Sequence, residues 1–155
     1  MKITGVIVAG IAGTTAFTLF SYILSEGMGK NFKEPELIGK MFGHGIPELG
    51  KEQAQFSGWM THYLVGIAFA AAYEQLIQHT GIKPTVQNGI VAGALSGFPA
   101  ALTWDTALKV HPAPPRKRSM VYYAQLLAGH AIFGAASFWV LGRLGKRQSS
   151  IVNRQ

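Results

Sequence analysis

Cysteine is missing from the chain altogether, so disulfides, thiolate metal sites and cysteine nucleophiles are excluded. Charge is scarce as well. Only 14% of the 155 residues are charged, against about 25% in a typical soluble domain. The charges that exist sit almost entirely between and after the apolar stretches. Three enzyme signatures are also lacking: a nucleotide-binding glycine loop, an H-E-x-x-H pair and a serine elbow. Gly10-Ile11-Ala12-Gly13 and Gly93-Ala94-Leu95-Ser96-Gly97 lie inside apolar runs and not after strands, so they read as packing glycines. The net charge of +7 does not point to nucleic acid. Arg116, Lys117 and Arg118 follow one apolar run, and Arg143, Lys146 and Arg147 follow another. Basic clusters in such places meet anionic lipid headgroups and set topology.

What is present is a set of four long apolar runs, at about 3–24, 56–77, 88–108 and 120–144. A membrane span needs about 20 apolar residues and a signal-peptide core only about 7–15. The first run carries no charge and is long enough to be retained as a span. The fold class expected is therefore all-α, an integral membrane four-helix bundle in a single domain. Two similar hairpins compose it: Ile7-Val8-Ala9-Gly10 recurs as Ile90-Val91-Ala92-Gly93, and His62-x-x-x-Gly66 recurs as His130-x-x-x-Gly134. Pro99 should kink the third span by releasing the carbonyl of Leu95.

The connection over 25–55 is extramembrane, punctuated by Gly27, Gly29, Gly43, Gly45, Pro47 and Gly50. Within it Pro35, Glu34 and Glu36 suit a helix start, and Leu37, Ile38, Met41 and Phe42 share one face. This is either a short interfacial helix or a loop with apolar anchors. Residues 145–155 form a basic tail. Lysines and arginines divide almost evenly between the two sides, and the termini are assigned to the cytoplasmic one.

Helices approach closely in lipid through small residues. Gly89, Gly93 and Gly97 form such a ridge at four-residue spacing, and Gly66 and Gly134 share theirs with the histidines. His62 and His130 are the leading ligand-binding candidates. Their helices run in the same direction, so both imidazoles can face a shared interior. Two uses follow: axial ligation of a b-type haem, or proton handling. The plainer use is polar glue between helices. Asp105 lies one turn beyond the third span's glycine ridge and could reach His62, His130 and His111, or simply pair with Lys109 at i+4. Trp104 lines a pocket or joins Trp59, Tyr122, Tyr123 and Trp139 in an interfacial aromatic belt.

The stretch Gly58-Trp59-x-x-His62-Tyr63-x-Val65-Gly66-Ile67-Ala68-Phe69-Ala70, with Pro84 and Gly93 downstream and His130-x-x-Phe133-Gly134 later, resembles a family of small bacterial four-span membrane proteins of undetermined function. His111-Pro112-x-Pro114-Pro115 is similar to a loop in related proteins. The resemblance implies the four-span architecture and a bacterial inner membrane, and it implies no activity.

The leading functional expectation is a non-enzymatic accessory or structural subunit, or a binder of lipid or another hydrophobic molecule. Lateral partners, whether a second copy or a larger membrane complex, would dock on exposed glycine ridges or the first loop. The alternatives are a bis-histidine haem or proton-handling protein using His62 and His130, and a small-solute transporter acting as a dimer.

Overall fold

The computed structural model describes residues 3–46, 48–115 and 119–152, with side chains as far as 145. The described residues are all helical, with five helices and no strand. These are α1 (Ile3–Met28), α2 (Glu34–Gly45), α3 (Lys51–Thr80), α4 (Val86–Val110) and α5 (Met120–Val152). Pro47, Lys2, Arg154 and the cluster Arg116-Lys117-Arg118 lie outside the described residues, as do the side chains of Lys146 and Arg147.

Local chemistry sets the boundaries. Pro35 and the acidic Glu34 and Glu36 open α2, where a missing N–H is harmless and negative charge meets the positive helix end. Gly81, at φ +68°, ends α3 by donating its N–H to the Ile77 carbonyl from the left-handed region. The Thr85 hydroxyl accepts the Asn88 N–H and caps α4. Pro99 leaves α4 a single continuous helix. Two expected boundaries move. The first connection is mostly helix, because α1 runs on to Met28 and α3 begins at Lys51. The tail is helical up to Val152.

α1 and α5 are long and apolar enough to cross a membrane, with mean hydropathy 1.8 and 1.4 over their best windows. Among the described residues they are the two that are. α3 and α4 are as long but dilute their apolar content with glycine, histidine, glutamine and carboxylates such as Glu74 and Asp105.

The long helices pack in the order α3, α1, α5, α4, while α3 and α4 scarcely touch each other. Glycine sets these contacts. A Cβ on Gly93 would overlap the His130 carbonyl, and one on Gly134 the Gly89 carbonyl, so α4 and α5 meet backbone to backbone. Gly10 lies against the Ile67 backbone and Gly66 against Thr14 where α1 crosses α3. These ridges are therefore consumed inside the molecule. The expectation that partners dock on exposed glycine ridges is corrected accordingly.

The outward faces are the apolar ones. Leu64, Val65, Leu95, Phe98 and Leu102 on α3 and α4 are between 48% and 67% exposed, as are Leu19 and Trp139 on α1 and α5. The inward faces carry Thr14, Thr18, Ser21, Ser25, His62, His130 and Ser137, all buried.

α2 packs along α3, where Gly39 and Gly58 let the two backbones touch. It is also pinned from the far side. Phe32 stacks on Tyr122, and the Gln125 amide donates to buried Glu34 at 3.0 Å. Tyr122 is thus fully buried and does not belong to an aromatic belt. Just before α2, Lys33 reaches Glu26 at 2.9 Å, and that hydrogen bond holds its ammonium above the ordinary lysine range.

Candidate functional site

A cavity of about 470 Å³ lies between the helices, lined by residues of all five. Its volume falls within the roughly 300–1,000 Å³ of typical small-molecule pockets. The lining is mainly apolar: Phe17 from α1, Ile38 and Met41 from α2, Val65 and Phe69 from α3, Ala100, Trp104 and Ala107 from α4, and Leu126 and Phe133 from α5. His62 and His130 both line it as well.

The histidines are brought together by Phe17. Its ring lies edge-on to His62 at 6.0 Å and to His130 at 5.2 Å between centroids. Phe17 fits there because Gly129, beside His130, has no side chain to occupy the same space. Phe69 packs on His130 from the other direction at 5.5 Å.

Hydrogen bonds fix each ring. The Thr18 hydroxyl donates to the Thr14 carbonyl at 2.7 Å, so its oxygen accepts from His62 Nε2–H at 3.0 Å. His130 Nδ1–H donates to the Leu126 carbonyl at 2.8 Å. The two imidazoles therefore take opposite tautomers, leaving a bare Nδ1 on His62 and a bare Nε2 on His130.

No match to this chain is found among protein-family models, curated proteins or solved structures.

The other predicted site residues separate. Trp104 lines the cavity, edge-on to Tyr122 at 5.8 Å. Asp105, its neighbour in sequence, does not line it. One Asp105 oxygen accepts from the Tyr123 hydroxyl at 2.8 Å and the other pairs with Lys109 at 2.7 Å. Of the two readings of Asp105 the pair with Lys109 is the one present, since α4 turns this carboxylate toward α5 and its own next turn, and the cluster with the histidines is not formed. The expectation of His111 as a ligand-binding residue is corrected. Its Nε2–H donates to the Met41 carbonyl at 3.0 Å, and its Nδ1 accepts the Ala113 N–H at 3.1 Å. Close by, His44 Nδ1–H donates to the Ala113 carbonyl at 2.7 Å. Together they tie the end of α2 to the segment after α4. Among the described residues no three His, Asp or Glu side chains converge to hold a metal ion.

Haem fits this arrangement poorly. Axial ligation needs two imidazole nitrogens facing one another across the iron. Here Phe17 touches both rings and Thr18 takes His62 Nε2.

The seam between α3 and α4 is bridged by the Tyr73 hydroxyl, which donates to Ser96 Oγ at 2.6 Å, Ser96 itself donating to the Gly93 carbonyl. On one side of that bridge Thr61 and Val65 face Pro99, Ala100 and Thr103 across the cavity. The cavity is thus open sideways, between α3 and α4.

Phe17, Thr18, Glu34 and Gly129 were not singled out from sequence. A signal for Thr18 existed in the hydroxyl ridge Thr14, Thr18, Ser21, Ser25 at helical spacing. Phe17 is one of nine phenylalanines, and nothing in its neighbourhood marks it.

Proposed function

We propose that this is a four-span protein of the bacterial inner membrane, with cytoplasmic termini, that holds a small hydrophobic molecule in the cavity beside His62 and His130. The observation carrying this reading is the sideways opening of an apolar cavity through a seam whose outer faces are also apolar. In water, exposed Leu64, Val65, Leu95, Phe98 and Leu102 would form a patch far larger than soluble monomers tolerate. In a bilayer the same faces meet acyl chains, and the slot between them opens onto lipid. Four spans are also supported by the buried polar inward faces, since polar side chains inside a membrane face the bundle interior. The likeness of the Gly10–Gly66 and Gly93–Gly134 crossings supports the duplicated hairpin, and with it the resemblance to the four-span family. Binding without chemistry is favoured because no carboxylate pairs with either imidazole among the described residues, the Glu34 carboxylate that lines the same cavity accepting from Gln125.

Topology is testable directly because the chain has no cysteine of its own. Single cysteines at Lys83, in the turn between α3 and α4, and at Ala113, after α4, are expected to react with a membrane-impermeant maleimide from opposite faces of intact membranes, Lys83→Cys from the cytoplasmic one. Labelling of both from one face would mean that α4 does not cross. Occupancy is tested by solvent extraction of the purified protein and mass spectrometry. A hydrophobic compound should accompany the wild type in near-stoichiometric amount and fall severalfold in Ala100→Phe, whose ring fills the mouth. Equal recovery from both proteins would refute the cavity as the binding site.

A further inference from the structure

Resting on the cavity reading, the geometry points to a ligand that is an uncharged, single-chain amphiphile whose hydroxyl group donates to one of the two imidazoles, and we infer that it enters tail and head together through the α3–α4 slot. The polar side chains lining the cavity are His62 and His130 with Thr14, Glu34, Thr61 and Thr103. Neither ring pairs with a carboxylate among the described residues, the Glu34 carboxylate that lines the same cavity accepting from Gln125 instead, so both rings are neutral. Each neutral ring has one donor and one acceptor, and both donors are spent inside the protein, on Thr18 and Leu126. What the rings leave for a ligand is two acceptors, His62 Nδ1 and His130 Nε2, neither bonded to another described residue, and beside them the Thr14 hydroxyl lines the same cavity without a partner and can donate. A hydroxyl donates to one of them and accepts from Thr14. A ketone, an ester carbonyl or an ether could accept from Thr14 but offers no proton, and would leave both ring nitrogens unpaired.

Size narrows the class further. A cavity of about 470 Å³ takes one chain or one ring system and not a two-tailed phospholipid. The apolar mouth, Val65 opposite Ala100, passes a tail without cost to it. Access from lipid also removes the need for the hydroxyl to cross a water-filled route.

Trp104 provides the test, since it lines the cavity. With Trp59→Phe and Trp139→Phe in place, Trp104 is the only tryptophan of the chain. Bromine on a ligand tail quenches tryptophan on contact. The detergent-purified protein is titrated with a bromoalkane, a bromoalkanol and a bromoalkanoic acid of one chain length, compared at equal mole fraction in the micelle. The alcohol is expected to reach half-quenching at about three- to tenfold lower mole fraction than the alkane, the worth of one net hydrogen bond. Ala100→Phe should suppress quenching by both, which separates the cavity from contact through the micelle. The double variant His62→Leu/His130→Phe should bring the alcohol to the alkane's level.

Equal quenching by alcohol and alkane in the unsubstituted cavity overturns the hydroxyl inference and leaves the hydrophobic cavity standing. An acid that outcompetes the alcohol also overturns it, because the site would then recognise charge. Quenching by none of the three, or quenching indifferent to Ala100→Phe, removes the cavity reading itself. The alcohol-to-alkane ratio needs no histidine variant, so a variant that fails to fold does not blunt the result.

Discussion

Replacing Gly93 with leucine is expected to destabilise the protein by about 3 kcal/mol or more, at or beyond the upper end of what overpacking costs. The cause is local and severe. A Cβ at this position overlaps the His130 carbonyl and crowds the Ala131 backbone, neither of which can rotate away as a side-chain tip could. The α4 and α5 helices must then separate over the whole contact that Gly89, Gly93 and Gly134 allow. His130 moves with its backbone, so the cavity should lose its ligand in the same variant. Thermal unfolding in detergent checks the size of the effect, with Gly93→Ala expected between leucine and wild type. Gly27 supplies the control, because a Cβ there meets nothing within 4 Å. Gly27→Ala should leave the midpoint unchanged or raise it slightly, glycine being a poor helix former. A Gly93→Leu protein that melts like wild type would mean α4 and α5 do not meet at this point.

Gly58→Leu should free α2 while leaving the four long helices folded. A side chain on Gly58 collides with the Pro35 carbonyl and with the Gly39 backbone, the two points where α2 rests on α3. What then holds α2 is the far side, Phe32 on Tyr122 and Glu34 with Gln125. The His111 and His44 bonds at its far end remain too, but losing the seat on α3 favours local opening of a short amphipathic helix. Tryptic cleavage at exposed Lys40 should speed up by on the order of tenfold, equivalent to roughly 1.4 kcal/mol of lost protection. The unfolding midpoint of the remainder should shift far less than in Gly93→Leu. Because Ile38 and Met41 close one end of the cavity, ligand retention should fall as well. Unchanged cleavage at Lys40 would refute the Gly39–Gly58 crossing as what seats α2.

Much of this was readable from the residues. Four-residue glycine spacing marks a face for close approach whatever it approaches, so Gly89, Gly93, Gly97, Gly66 and Gly134 could be assigned to packing in advance. The paired histidines were legible for a similar reason, since duplicated positions on co-directional helices reach similar depth. Adjacency was harder. Periodicity describes one helix at a time and does not say that α1 sits between α3 and α5, which is why Phe17 was overlooked and the α3–α4 slot unforeseen. Asp105 shows the same limit. Its spacing from the glycine ridge placed it on an inward face, but one turn of helix and the nearby Tyr123 hydroxyl were enough to claim it. The burial of α2 was illegible because Glu34 looks like a solvated helix-start residue until Gln125, distant by 91 positions, covers it.

That long-range pairing has a bearing on how the chain is made. Glu34 leaves the ribosome long before α5 exists, so the first half waits with a carboxylate whose burial depends on residues still to be synthesised. Arrival of Tyr122 and Gln125 completes the seat of α2. Chains cut short before α5 would keep Glu34 uncovered and α2 loose, a difference by which a quality-control protease could tell an unfinished molecule from a finished one.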